Sequence, residues 1–232
     1  MNTKVHVLIT ARKNSKRLKN KNINKFKNKE LFLWSYISAK YSKLVSKISI
    51  STDDEKIHKI CDQKKIFFIK RPKQLSSDKS LVKDTIIHYL KTFDKKNIPD
   101  IIVLLQPTSP LREINLIDNG IKKLLNSKSA TALVELCPLK LSYGKIIKNF
   151  WKSNFKEGAR KQDITPLYIP SGRLFIYRVN GHFFRKKKRK FIYIIQNYKK
   201  NVNIDTSEDL IRLKNVYDQY SKQYQYIEEY RF

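Results

Sequence analysis

The sequence predicts an α/β protein built around one open, mostly parallel sheet with helices on both faces. Short apolar segments of strand length alternate with segments of helical spacing along most of the 232 residues. One segment, Ile101–Leu105, is an unbroken apolar run, which is typical of a strand buried on both faces of a parallel sheet. Because repeated strand–helix units connect by right-handed crossovers, these observations favour a doubly wound architecture.

The first strand–helix units can be located from hydrophobic patterning. Residues 4–10 form an apolar strand, and a polar loop rich in Lys and Asn follows it to about residue 29. Residues 33–44 have helical spacing and bring Trp34, Ile37 and Tyr41 to one face. A second strand is predicted at 47–51, and Thr52 or Asp53 is expected to cap the helix after it. The remaining predicted strands cover 66–70, 101–105, 130–136, 173–179 and 191–196, and the remaining helices cover 81–93, 113–125 and 206–220.

The regular alternation is interrupted after Cys137. Residues 138–172 are irregular and contain Trp151, Gly158 and a basic stretch, before strand and helix patterns resume. The sequence has no internal repeat and no Gly/Ser-rich linker. We therefore expect residues 1–232 to form a single domain that carries an inserted lobe at about 138–172.

The composition argues against several classes of protein. A hydrophobic content of 41% with 12% aromatic residues excludes a wholly disordered chain. No apolar run approaches the ~20 residues of a membrane span. Two cysteines, Cys61 and Cys137, cannot frame a disulfide scaffold. We therefore expect a soluble, cytoplasmic protein without a membrane partner.

The net charge of +30 comes from 50 Lys and Arg against 20 Asp and Glu. The 39 lysines and 11 arginines are spread along the whole chain among Asn and Ile, which indicates a compositional bias rather than a binding face. The densest basic cluster, residues 185–190, is expected to be a solvated loop between two strands. We do not expect a nucleic-acid partner. A basic nucleic-acid-binding module is kept as the alternative from another functional class, because basic surfaces bind phosphates by counterion release.

The loop after the first strand has the composition of a polyphosphate site. In open α/β sheets, ligands bind beyond the carboxyl ends of the strands. Residues 11–23 contain several cations together with Ser and Asn donors, and the next acidic residue is Glu30. One ion pair at about 4 Å is worth up to ~4 kcal/mol at an effective dielectric constant near 20. The loop is neither a Walker loop nor a Gly-x-Gly dinucleotide turn, since both glycine patterns are missing.

Two further polar residues follow predicted strands. Gln106 follows the central strand in a turn that two prolines stiffen, and its side chain offers both a donor and an acceptor. Asp205 comes just before the expected N-cap of the last helix, Thr206 or Ser207. It is the carboxylate best situated to hold a hard cation together with phosphate oxygens and water.

Five motifs occur in an order that resembles one family over nearly the whole chain. Two of them are Leu104-Leu-Gln-Pro-Thr-Ser-Pro-Leu-Arg112 and Ile50-Ser-Thr-Asp-Asp54, and the others lie within 11–23, 71–78 and 204–209. Together they resemble the acylneuraminate cytidylyltransferases, the CMP-N-acetylneuraminic acid synthetases. The resemblance implies a Rossmann-like nucleotide-diphospho-sugar transferase fold with an inserted dimerisation lobe, and a homodimer. It also implies an enzyme, a nucleotidyltransferase that transfers a cytidylyl group from CTP to the anomeric hydroxyl of a sialic-acid-like nonulosonic sugar and releases pyrophosphate, for surface glycans such as lipopolysaccharide or capsule.

The resemblance also implies roles for single residues. Gln106 would face the sugar, and Lys161 and Gln162, which stand in the register of the family's Arg-Gln pair, would contact the sugar as well. Asp205 would hold the cofactor, Mg²⁺. The implied nucleotide-binding residues are Arg12, Ser15, Lys21, Asn22 and Arg71, and the implied catalytic residues are Arg12, Lys21 and Lys161.

Several positions depart from the family pattern. Arg17 stands where the family keeps Gly, Lys161 replaces an Arg, Ser171 replaces an Asn, and Asn203 replaces the first Asp of the metal motif. A lysine retains the charge of arginine but loses its bidentate geometry. We expect an altered sugar specificity first. The alternatives are a cytidylyltransferase for Kdo or another sugar and a non-catalytic homologue.

Overall fold

The computed structural model describes residues 3–13, 15, 17–139, 143–156, 158–179 and 189–232, without the side chain of Lys161. The strands within these ranges are β1 (Val5–Thr10), β2 (Lys25–Phe26), β3 (Lys29–Glu30), β4 (Lys47–Thr52), β5 (Phe68–Lys70), β6 (Ile101–Leu105), β7 (Ala132–Leu139), β8 (Gly144–Ile147), β9 (Phe150–Ser153), β10 (Leu167–Arg178) and β11 (Phe191–Ile195). The α-helices are α1 (Leu31–Lys40), α2 (Glu55–Gln63), α3 (Val82–Leu90), α4 (Leu116–Asn126), α5 (Ser207–Gln219) and α6 (Gln225–Glu228).

The central sheet of the described residues has seven strands in the order β11-β7-β10-β6-β1-β4-β5. β1 pairs in parallel with both β4 and β6, and β5 and β11 also pair in parallel with their neighbours. β10 is antiparallel to both β6 and β7. The predicted open and mostly parallel α/β sheet is therefore confirmed.

Alternating residues of β1 face the two layers that cover the sheet. Val5, Val7 and Ile9 pack in the larger apolar cluster with α1 and α4, whereas Leu8 packs in a smaller cluster with residues of α3. In α1 the buried residues surround most of the helix, and Trp34 is fully buried. The carboxyl ends of β1, β4 and β6 leave the sheet at the same edge, because these strands are parallel.

Two local predictions need correction. Asp54, rather than Thr52 or Asp53, is the N-cap of α2, and its side chain accepts a hydrogen bond from the backbone N–H of Lys56. β10 begins at Leu167, within the segment predicted to be an irregular lobe, and pairs there with the end of β7. In contrast, Thr206, one of the two predicted candidates, is the N-cap of α5, and the carboxylate of Asp209 accepts a hydrogen bond from the backbone N–H of Thr206.

The rest of the predicted lobe contains a small antiparallel hairpin, β8–β9, followed by a 3-10 turn at Lys161–Asp163. The division of the chain into one domain with an inserted lobe stays a prediction. The basic cluster at 185–190 lies largely outside the described residues. No helix among the described residues is sufficiently long and apolar to cross a membrane.

Candidate active site

A cleft of about 680 Å³ lies at the carboxyl edge of the sheet. It is bordered by the loop after β1, by the segment between β5 and α3, by the turn after β6 and by the residues before α5. Seven residues that the sequence singles out line it: Arg12, Ser15, Lys21, Asn22, Arg71, Gln106 and Asp205. Residues separated by up to 193 positions in sequence (12 to 205) are thereby brought to one cavity.

The described lining of the cleft is positively charged. It contains four cationic side chains and two carboxylates, a surplus of two positive charges: Arg12, Arg17, Lys21 and Arg71 against Asp78 and Asp205. A concave site with an excess of one sign of charge concentrates ligands of the opposite sign. The lining therefore suits an anionic ligand such as a polyphosphate.

Arg12, which lines the cleft, is held by an ion pair of its side chain and by a hydrogen bond to its backbone carbonyl. Its guanidinium Nη1 lies 2.8 Å from Oδ1 of Asp78, and both side chains are partly exposed. The buried Asn22 donates from Nδ2 to the carbonyl oxygen of Arg12 at 2.8 Å. The side chain of Asn22 thus fixes the start of the loop that follows β1. Asp78 is the last residue of the motif within 71–78, and its contact with Arg12 becomes visible only in the fold.

The carboxylate of Asp205 contacts two cationic side chains from the loop after β1. Nζ of Lys21 lies 2.7 Å from Oδ1 of Asp205 and also donates to the carbonyl oxygen of Ile204 at 2.9 Å. Nη2 of Arg17 lies 2.9 Å from Oδ2 of Asp205. The loop after β1 is therefore tied to the segment before α5 through one carboxylate.

Arg71 is buried at the base of the cleft. It donates from Nε to Oγ of Ser51 at 3.1 Å and from Nη2 to the carbonyl oxygen of Ser51 at 2.6 Å. Burial lowers the pKa of Arg71 to about 10, with Asp53 opposing this change and Arg12 adding to it. The guanidinium is still protonated near neutral pH, and an anion in the cleft would relieve its repulsion from Arg12.

Gln106 is positioned by a buried arginine. Arg112 is fully buried, and it donates from Nη2 to the carbonyl oxygen of Gln106 at 2.9 Å and from Nη1 to Oγ of Ser35 at 3.0 Å. Burial, followed by the nearby charge of Arg173, lowers the pKa of Arg112 to about 9. The sequence contains Arg112 in a motif, but no local signal shows that its guanidinium anchors the turn after β6.

A glycine leaves room for the side chain of Gln106. Gly172 has a φ of +81°, and a Cβ atom at this position would lie 2.6 Å from Oγ of Ser109 and 3.2 Å from Oε1 of Gln106. Only a residue without a side chain fits here without displacing these neighbours. The sequence shows Ser171 in place of the family's Asn, but no local signal indicates the close approach of Gln106 to the neighbouring Gly172.

Oxygen donors near Asp205 determine whether the cleft suits Mg²⁺. Among the described residues, no group of three or more His, Cys, Asp and Glu side chains could hold a metal ion. Asp205 and the amide side chain of Asn203 nevertheless both line the cleft. Mg²⁺ is commonly bound by one or two carboxylates, with water and substrate phosphates completing its shell. The residues present therefore fit a Mg²⁺ ion that binds together with a phosphate ligand.

One further predicted sugar-site residue, Gln162, is not brought to this cleft. Gln162 lies in the exposed 3-10 turn between β9 and β10 and does not line the cavity of its own chain. The side chain of Lys161 lies outside the described part of the structure. The roles predicted for both residues stay predictions, as do the roles of the seven residues in the cleft.

A cationic cleft beyond the carboxyl ends of a mostly parallel α/β sheet is the place where proteins of this fold class bind ligands, and its charge suits an anionic ligand such as a nucleotide. A family model described as "Cytidylyltransferase" matches residues 6–230. The chain therefore belongs to the cytidylyltransferase family, and the predicted membership is confirmed.

Curated relatives support this assignment. The chain is 33% identical over 122 residues to the N-acylneuraminate cytidylyltransferase of Escherichia coli O18:K1:H7, covering 53% of the chain and 28% of the relative. It is 28% identical over 218 residues to the enzyme of the same name from Streptococcus agalactiae serotype III, covering 89% and 51%. The CMP-N,N'-diacetyllegionaminic acid synthase of Legionella pneumophila is 25% identical over 222 residues, covering 89% and 93%. The chain thus spans about half or less of the length of the first two relatives.

Solved structures support the fold. A CMP:2-keto-3-deoxy-manno-octonic acid synthetase complexed with CTP superimposes with a TM-score of 0.69 at 12% identity, covering 94% of this chain and 100% of that chain. The predicted nucleotidyltransferase fold is confirmed by this similarity.

Proposed function

We propose that this chain transfers a cytidylyl group from CTP to the anomeric hydroxyl of a sialic-acid-like nonulosonic sugar and releases pyrophosphate. The product would serve surface glycan biosynthesis. The observation that carries the proposal is the convergence of Arg12, Lys21, Arg71, Gln106 and Asp205 on one cleft at the edge of the sheet. The acylneuraminate and legionaminic acid relatives point to the same class of sugar acid.

The reaction we propose is an in-line displacement at the α-phosphorus. A bond forms from the sugar hydroxyl oxygen to the α-phosphorus, the bond from the α-phosphorus to the bridging oxygen breaks, and pyrophosphate leaves while the hydroxyl proton passes to solvent. Catalysis then depends mainly on positioning and on neutralising charge. Arg12 and Lys21 supply positive charge to the departing pyrophosphate, and Ser15 and Asn22 supply hydrogen-bond donors at the same loop.

The other cleft residues orient the two substrates. Gln106, whose backbone Arg112 holds, directs an amide toward the sugar, and Gly172 leaves space for that amide. Arg71 lies deeper and serves the nucleoside part of CTP. We propose Asp205 as the protein ligand of Mg²⁺, which when bound neutralises phosphate charge and lowers the pKa of the attacking hydroxyl.

The test is an incubation of the protein with CTP, Mg²⁺ and a panel of keto acid sugars, with pyrophosphate release as the readout. We expect release with at least one nine-carbon sugar acid and less with the eight-carbon Kdo. Kdo is 2-keto-3-deoxy-manno-octonic acid. It belongs in the panel because the similar solved structure, with a TM-score of 0.69, is a synthetase named for this sugar. If pyrophosphate is released with Kdo alone, Kdo is the substrate rather than the proposed nine-carbon sugar. If no sugar gives turnover and the protein binds RNA in a salt-sensitive way, the protein is a nucleic-acid-binding module rather than this enzyme.

We propose that the chain acts as a homodimer that associates through the β8–β9 hairpin. Large apolar side chains of this hairpin are exposed, with Ile146 81%, Phe150 77% and Trp151 62% accessible. Exposed apolar clusters commonly mark protein interfaces. A second copy would cover this surface and would give Gln162, which lies away from its own cleft, access to the cleft of the partner.

The dimer is tested by light scattering after size exclusion. The native protein should have twice the mass of one chain, and Trp151→Asp should shift it to the monomer with an unchanged circular dichroism spectrum. Lys152→Asp is the matched control, because it adds a negative charge to the same strand at an exposed basic residue. A monomeric native protein, or a Trp151→Asp protein that remains dimeric, would exclude this interface.

We also propose that the protein acts in the cytoplasm. Cys61 and Cys137 are both buried free thiols. Free thiols persist in reducing compartments, where disulfides are rare.

A further inference from the structure

The two oxygens of Asp205 have partners that differ in how firmly they are held. Lys21, which contacts Oδ1, has a side chain only 12% exposed and a second acceptor in the carbonyl of Ile204. Arg17, which contacts Oδ2, has a side chain 68% exposed. One oxygen is therefore bound to a fixed cation and the other to a cation at the surface.

The surface partner can be displaced at small cost. Exposed ion pairs of this kind are weak, and losing one changes an equilibrium constant by at most about fivefold. Lys21 is restrained by two acceptors in a more buried position. A ligand that approaches the carboxylate of Asp205 from the cleft would thus replace Arg17 rather than Lys21.

We propose that the guanidinium of Arg17 occupies the Asp205 oxygen that the divalent cation needs. When the cation and CTP bind, this guanidinium leaves Asp205 and binds the triphosphate instead. The inference rests on the proposed function, since it takes Asp205 as the metal ligand and CTP as the nucleotide. Arg17 is therefore an internal competitor of the metal in the free protein and a phosphate ligand in the complex.

The chemistry of the guanidinium favours this exchange. Its fork of N–H donors matches the geometry of phosphate oxygens, which allows two hydrogen bonds to one phosphate group. Arg17 also lines the same cleft as Arg12, Lys21 and Arg71, so a triphosphate there lies within reach of its flexible side chain. Because Arg17 leaves Asp205 more readily when phosphate is present, CTP should strengthen metal binding, and the metal should strengthen CTP binding by the same factor.

The experiment uses Mn²⁺ as a probe for Mg²⁺. Electron paramagnetic resonance measures the Kd of Mn²⁺ for the purified protein, first without and then with CTP. For the protein alone, Arg17→Gly should lower the Kd for Mn²⁺ by about two- to fivefold, the range expected for removal of an exposed ion pair. The ratio of the Kd values without and with CTP should be smaller in Arg17→Gly than in the native protein. An unchanged or weaker affinity of Arg17→Gly for Mn²⁺ would overturn the proposal.

Three further variants make the result specific. Lys19→Gly removes an exposed positive charge from the same loop at a residue that does not line the cleft, and should leave the Kd unchanged. Arg17→Lys should lie between the native protein and Arg17→Gly, because lysine keeps the charge but not the fork. Arg17→Gly combined with Asp205→Asn should abolish the gain, and persistence of the gain would overturn the assignment of the competition to Asp205.

The two proposals can fail independently. A tighter Kd for Mn²⁺ in Arg17→Gly without any pyrophosphate release would refute the proposed reaction and keep the competition at Asp205. Pyrophosphate release by the native protein with an unchanged Kd in Arg17→Gly would do the reverse.

Discussion

Asp205→Ala should reduce pyrophosphate release from CTP and the sugar acid at least a hundredfold, which corresponds to about 2.7 kcal/mol of lost transition-state stabilisation. Asp205 is the proposed ligand of Mg²⁺, and it also contacts Lys21 at 2.7 Å. One substitution would therefore remove both the metal site and the carboxylate that orients a cation of the phosphate site. The variant thus loses the proposed metal ligand and the contact that orients Lys21.

The loss of activity should occur without unfolding. Asp205 is partly exposed and precedes α5, whose N-terminus is held by Thr206 and Asp209. The thermal midpoint should therefore stay within a few degrees of the native value. Asp62→Ala is the control, since it deletes an exposed carboxylate from the last turn of α2, outside the cleft, and should retain full activity. Full activity of Asp205→Ala would remove this residue as the metal ligand.

An intermediate substitution separates the two roles of Asp205. Asp205→Asn keeps an oxygen that can accept from Lys21 but removes the negative charge that attracts a divalent cation. If the metal role dominates, Asp205→Asn should be nearly as inactive as Asp205→Ala. High Mg²⁺ should then restore part of the activity of Asp205→Asn and none of Asp205→Ala.

Much of the sheet could be predicted because its strands carry strong local signals. Ile101–Leu105 has the predicted boundaries, since five consecutive apolar residues need burial on both faces. β10 was predicted too short because Pro170 and Gly172 normally interrupt a strand. In the fold, β10 continues through them by pairing with β7, and a shift of register between Pro170 and Phe175 accommodates the irregularity. Tertiary pairing outweighed the local signal there.

The location of the cleft could be predicted, but its internal contacts could not. Parallel strands end at the same edge of the sheet, so the residues that follow β1 and β6 were expected to meet. The contact of Lys21 with Asp205 joins residues 184 positions apart, and no sequence pattern reports on such a pair. The burial of Arg112 was also hidden, because arginines are mostly exposed in folded proteins.

Arg173→Met should give the largest loss of stability, about 3–5 kcal/mol in the free energy of unfolding. Arg173 is almost fully buried and forms a bidentate ion pair with Glu135, with both contacts at 2.9 Å. Nη2 of Arg173 also lies 2.5 Å from Glu113. Burial opposes its charge, but Glu135 and Glu113 raise the pKa of Arg173 above its usual value. Methionine fills much of the same volume but leaves Glu135, which is 1% exposed, without its countercharge.

A double variant isolates that uncompensated charge as the cause. Arg173→Met with Glu135→Leu removes both charged groups, so it should be more stable than Arg173→Met alone, as replacements of whole buried pairs often are. Urea denaturation at pH 7 measures both differences. A loss below 1 kcal/mol in Arg173→Met, or a double variant less stable than the single one, would contradict this account.

The pH dependence supplies a second check on the same cluster. Burial raises the pKa of Glu113, but Arg173 outweighs burial and, with Lys200, holds this pKa below its usual value. A carboxyl whose pKa is lowered by folding contributes stability above its unfolded pKa and loses it as the pH falls through the folded value. The difference in unfolding free energy between native protein and Arg173→Met should therefore be largest near neutral pH and should shrink below about pH 4. A difference that stays constant down to that acid range would mean that packing, rather than the charge of Arg173, accounts for the loss.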